Sequence, residues 1–219
     1  MPPDQAAGLR RRRSGVSPRC LHVFFDSADC TPRLLEALHR HGLRTLLLDI
    51  QGRVFADSPA RSLFDWRQQL ARGQLQTLPM PHGEGWHAPG ARADATGLAD
   101  LVQGYDVLVF DEAQDASAAR MPGAARAAIV EVATANASPQ RAYALLKTLF
   151  HLQEEIDIAL LGEPATCDRV RDACAQFLDV RFAQAIFNAA HEDDAFAALA
   201  VRMADEETGR APVNKTGSI

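Results

Sequence analysis

Lysine is nearly missing from this chain. Only Lys147 and Lys215 occur among 23 basic residues, and the other 21 are arginine. Any chemistry that needs a lysine in the first hundred residues is therefore excluded. Cysteine is sparse too: Cys20, Cys30, Cys167 and Cys174 form no C-x-x-C pair, which argues against a cysteine-built zinc site or a dithiol redox centre. Cys167 and Cys174 stand seven apart and so share one helix face. Buried free thiols are expected. No run approaches the roughly 18 apolar residues that cross a bilayer, and no apolar signal core follows the N-terminal arginines. The expected setting is the cytoplasm, with no membrane contact. Net charge is −5 over 219 residues, without the basic footprint of a dedicated nucleic-acid binder, so nucleic acid is not an expected partner.

The composition that remains is that of one globular domain: 47% hydrophobic and 23% charged. Met1 to Arg19 has no apolar periodicity and carries the run Arg10 to Arg13; it reads as a disordered basic tail over residues 1–19. An α/β domain is expected over 20–206, and a flexible C-terminus over 207–219.

Short apolar runs alternate with amphipathic stretches through the domain. Leu21–Phe25 reads as a buried strand. Thr31 reads as a helix N-cap with Pro32 at the first helical position, and Gly42 stands where a terminal glycine belongs. Thr45–Ile50 is a second strand, completing a βαβ unit. Further strands are expected at 75–78, 107–110, 128–132, 156–161 and, more weakly, 180–186. Helices are expected from 58 to about 72, from Ser138-Pro139 to about 150, over 166–177 and over 193–203. This pattern predicts a single-domain α/β fold. Its mostly parallel sheet has about seven strands, with helices on both faces. Ligands of such sheets bind beyond the carboxyl ends of the strands. Those ends carry Asp26, Asp49 and Asp111.

Leu108 to Asp115, LVFDEAQD, has the form of a Walker B strand, in which the first carboxylate holds Mg²⁺ against nucleotide phosphates. Such a strand acts beside a glycine-rich turn whose N–H groups curl around phosphate, with a Lys and a Ser or Thr. Here the turn after the first strand reads DSADCTP, Asp26 to Pro32. It has no glycine and no lysine, two of its residues are acidic, and Pro32 removes a backbone donor. Only Arg33 and Arg53 are near enough in sequence to supply cations. A helicase is excluded by the same defect and by the lack of a basic face.

Four segments carry a resemblance. HVFFDS stands where a phosphate-loop strand would; HGLRTLLLDIQGR, GYDVLVFDEAQD and NASPQRAYALLKTL follow in order. Together they resemble the MinD/ParA class of deviant P-loop ATPases, most of all the flagellar-number regulators and cellulose-operon members. The likeness covers about Leu21 to Asp205. It places Asp49 at the family's second-strand carboxylate and Asp111 at its Walker B position, with Asp26 beginning the altered loop. Three departures accompany it: the lost phosphate loop, Asp115 where the family often has glycine, and Gly162-Glu163-Pro164 where it often has an adenine-reading Asn.

The expectation is a non-catalytic MinD/ParA-like protein with no cofactor, acting through a protein partner: another ATPase of this class or a second copy. Flagellar, polar or envelope assembly is implied by the resemblance alone. Two alternatives stay open: a nucleotide hydrolase with an unconventional phosphate site at the strand ends, and a small-molecule α/β enzyme. Residues 79–97, rich in Pro, Gly and His, read as an ordered loop. His82, Glu84 and His87 there have the look of metal ligands, but their spacing is common by chance and no metal is expected. Trp86 is the candidate partner anchor.

Overall fold

The computed structural model describes residues 18–53, 77–79, 102, 104–113, 126–135, 137–152, 156–189 and 193–204. The expected helix over 58–72, the loop 79–97 with Trp86, and both chain ends lie outside these residues, apart from Pro79.

Seven strands form one sheet: β1 (Arg19–Phe24), β2 (Thr45–Asp49), β3 (Thr77–Pro79), β4 (Val107–Asp111), β5 (Arg126–Val132), β6 (Asp157–Gly162) and β7 (Phe187–Ala189). Their order is β3-β2-β4-β1-β5-β6-β7, and every pairing is parallel. The central strands are buried along their whole length, as their apolar runs demand: β4 and β5 have no exposed residue.

Side chains alternate across the sheet. Leu21, Val23, Leu47, Val109, Ile129 and Leu161 face one layer, made by α1 (Cys30–Arg40) and α5 (Asp193–Ala204). Phe24, Val130, Ile158 and Leu160 face the other, made by α2 (Ser138–His151), α3 (Pro164–Phe177) and α4 (Val180–Ala185). Each fully buried Leu, Ile or Phe contributes roughly 1.5–3 kcal/mol. Gly42, at φ 75°, ends α1 as expected. Leu43 N–H donates to Leu38 O and Gly42 N–H to His39 O, the paired bonds of a Schellman stop. Gly162 is required for another reason. A Cβ there would sit 2.2 Å from the carbonyl oxygen of Val132 on the neighbouring strand.

The helix starts differ from expectation in detail. Thr31 is not a cap: it is buried inside α1, and Asp29 precedes the helix without a side-chain capping bond. Ser138 is the first residue of α2, not its cap; its hydroxyl instead accepts the N–H of Ala133 at 2.9 Å, tying α2 to the end of β5. The largest correction is at 180–186, expected as a strand and found as α4. Asp179 explains it, because its carboxylate accepts the Phe182 N–H at 2.9 Å and starts a helix. The strand is displaced to Phe187–Ala189.

The chain winds outward from β1 through β2 to β3, returns at β4 beside β1, then crosses to β5 and winds outward the other way. The crevice at this reversal lies beyond the carboxyl ends of β4, β1 and β5.

Candidate functional site

Two groups of charged residues occupy this crevice, one on each side of β1. The first belongs to β2 and β4. Asp49 and Asp111 end these strands in direct register, so their side chains lie on the same face, and both are buried. Asp49 Oδ1 accepts the backbone N–H of Arg53 at 2.8 Å, which folds the segment 49–53 into a closed turn. Asp111 Oδ1 accepts from Gln51 Nε2 at 2.9 Å, and its Oδ2 lies 3.9 Å from Arg53 Nε. Arg53 also donates to the Phe25 carbonyl and, at 3.0 Å, to Gln51 Oε1. Burial pushes the Asp111 carboxyl up from its usual range; Arg53 and the Gln51 hydrogen bond pull it down, and Asp49 and Glu112 push it up again. The structure thus brings Asp49 and Asp111 together, with the Arg53 guanidinium beside them.

Asp26 is not part of that group. It lies in the turn after β1 and pairs with Arg141 of α2 at 2.6 Å. Arg33 does not turn inward either; its guanidinium lies over the Phe196 ring and 3.7 Å from Asp29.

The second group centres on Glu131, near the end of β5 and 3% exposed. Its Oε2 accepts the backbone N–H groups of Asp26 (2.8 Å) and Ser27 (2.9 Å), and its Oε1 accepts the Ser27 hydroxyl. The turn that would cradle a phosphate spends two backbone N–H groups and a hydroxyl on this carboxylate. Sequence reasoning missed Glu131, although one acid in the apolar run RAAIVEV was a signal: a lone carboxylate within a buried strand must find donors.

Asp111 and Glu112, adjacent in LVFDEAQD, point to opposite faces of the sheet. Glu112 lies against His22, with Nδ1 2.6 Å from Oε1, and His22 stacks on Phe110 at 5.0 Å. Both residues are buried, and His22 Nε2 and Glu112 Oε2 have no hydrogen-bond partner among the described residues. None of the four cysteines is in a disulfide and all are buried, as expected. Among the described residues no three potential ligands gather around a metal position, and no helix is long and apolar enough to cross a membrane.

This fold has a known counterpart. The chain superposes on a chain of the MinC:MinD cell division protein complex of Aquifex aeolicus with a TM-score of 0.50, covering 91% of this chain and 100% of that one, at 12% identity. The fold is MinD-like, and at that identity the likeness is one of fold alone. No protein-family model and no curated protein matches the sequence.

The MinD/ParA class implies a magnesium nucleotide at the strand ends, and the described residues do not fit one. Three donors of the turn face Glu131. Arg53 already lies against Asp111, beside which a metal would stand. A triphosphate at this turn would be repelled by the carboxylates of Glu131 and Asp26, the one seated on the turn and the other part of it. At contact range each like-charge pair costs about 1 kcal/mol even in water, and more where buried.

Proposed function

We propose that this chain is a MinD/ParA-like protein that has given up nucleotide hydrolysis and works by binding another protein. The partner is an ATPase of the same class or a second copy of this chain. Its setting in this reading is the cytoplasm, in flagellar, polar or envelope assembly. The observation that supports it is the Glu131 carboxylate held on the Asp26 and Ser27 N–H groups. The N–H groups of Asp26 and Ser27, engaged in this way, are not on offer to a phosphate.

Calorimetric titration with Mg-ATP tests the reading. The expected outcome is no measurable heat of binding. A dissociation constant below about 100 μM, roughly −5.5 kcal/mol, would sink it. The partner contact is proposed at Trp86, on the argument that an aromatic among glycines and prolines makes a rigid, amphipathic anchor. Trp86→Ala is then expected to weaken capture of the protein that co-purifies with the wild type by roughly 2 kcal/mol, with the melting temperature held within about two degrees. A large drop in melting temperature would instead make Trp86 a packing residue.

A further inference from the structure

The N-terminus of α1 has no side-chain cap, although Asp29 precedes it and lies 3.7 Å from Arg33. No acidic residue stands in its first turn, and the Asp29 side chain makes no capping bond. Unpaired N–H groups at a helix start leave positive potential there. A further negative charge, one that does accept hydrogen bonds from the turn, arrives from another strand. Glu131 lies 104 residues from Ser27 in sequence, and it is close enough to Cys30, the first residue of α1, to help push that thiol up to about 12, behind burial as the larger cause. Its two oxygens take two consecutive backbone N–H groups and a hydroxyl. That is the donor set with which a turn before a helix holds a free oxyanion. Arg141, paired with Asp26 at 2.6 Å, adds cationic charge at the rim. The set is complete, and the anion on it belongs to the chain.

We infer that the Asp26–Ser27 turn is an oxyanion site closed in cis, with the Glu131 carboxylate seated where a phosphate-sized anion would sit. This deepens the reading above and rests on it, since it requires that the crevice not be given over to a nucleotide. A tethered group acts at an effective concentration of millimolar or more, and so outcompetes free phosphate of ordinary affinity. The turn is held in its anion-bound form at all times, independent of any ligand. A surface built around it, including the start of α1, is then presented constitutively.

The test is removal of the tethered anion and supply of a free one. Thermal melts of the full chain, wild type and Glu131→Ala, are recorded in rising inorganic phosphate or acetate, with sodium chloride holding ionic strength constant. Acetate matches the atoms the substitution removes. Glu131→Ala is expected to melt below wild type and to recover by about 3 °C or more at 50 mM anion, while wild type moves by less than about 1 °C. Should Glu131→Ala fail to fold, Glu131→Gln keeps the volume without the charge. Its Asp26 and Ser27 amide resonances are expected to shift on addition of phosphate, and those of wild type to stay in place. Variants that gain no more from phosphate or acetate than wild type would overturn the inference and leave the proposed function standing. Tight Mg-ATP binding by wild type would defeat the proposed function instead.

Discussion

Glu131 and Glu112 make an instructive pair. Both sit at or just past the carboxyl end of a strand adjoining β1, one on each side of it, and both are almost wholly buried. Their surroundings could hardly differ more. Glu131 is met by two backbone N–H groups and a hydroxyl. The Glu112 carboxylate has one described hydrogen bond, to His22 Nδ1, and its second oxygen is unpartnered among the described residues, as is the far nitrogen of the histidine. Burial is common to the two, so it cannot decide what a carboxylate does; the supply of donors decides. On the α1 face the charge is fully served and organises a turn. On the opposite face the pair leaves two polar atoms unmet at a cost of order 1–3 kcal/mol each, which must be offset by the packing around it.

The sharpest way to break this comparison is to remove one partner of the poorly served pair. His22→Ala takes away the only described hydrogen-bond partner of the Glu112 carboxylate and the ring stacked on Phe110. The expected loss is about 4 kcal/mol in a denaturant or thermal melt, since a buried carboxyl group left without a described hydrogen bond adds to the cavity. Glu112→Gln should behave very differently. It trades the unpartnered carboxylate oxygen for an amide group of the same size, and a change below about 1 kcal/mol is expected. If the two variants prove equally damaging, the charge of Glu112 is better served than its contacts indicate. If both are harmless, the pair is solvated and the contrast with Glu131 fails.

Much of this arrangement was legible in the sequence, and the part that was not has a common cause. Parallel strands covered on both faces read as plain apolar runs, so VLVFD and TLLLD announced β4 and β2 and placed Asp111 and Asp49 at their ends. The stop at Gly42 was equally local. Glu131 was hidden because its donors lie more than a hundred residues away; nothing in RAAIVEV says which turn its carboxylate will meet. Arg53 was flagged only as a nearby cation. Its engagement with Asp111 depends on the Asp49-capped turn that bends 49–53 back over the strand end. The error at 180–186 was of another kind. Val-Arg-Phe-Ala alternates like a strand, and the capping carboxylate of Asp179 outweighed that pattern.

Asp111 supplies the smallest and most discriminating effect, because it stands between the two extremes. It is as buried as the two glutamates, and it is served by one amide donor, Gln51, with the Arg53 guanidinium nearby at 3.9 Å. Burial raises its proton affinity in the folded state above the ordinary value of 3.8. The sign of the linkage follows. Between 3.8 and the raised folded value the native state binds the proton more tightly than the unfolded chain, so stability falls as pH rises through that window. Above the window the ionised carboxylate weighs fully against folding, and below 3.8 that cost is absent. Asp111→Asn is uncharged at every pH and can still accept from Gln51. It is therefore expected to be more stable than wild type near neutral pH by up to about 1 kcal/mol, the gain shrinking to nothing as pH falls below 4. The outcome also bears on function. A carboxylate kept to clamp a metal should cost all activity when neutralised. One that remains as a strand-end acid beside Arg53 should leave partner binding unchanged while the fold tightens. A loss of stability at neutral pH would show that Arg53 serves Asp111 as well as the Asp26–Ser27 turn serves Glu131, and would erase the distinction between the two sides of β1.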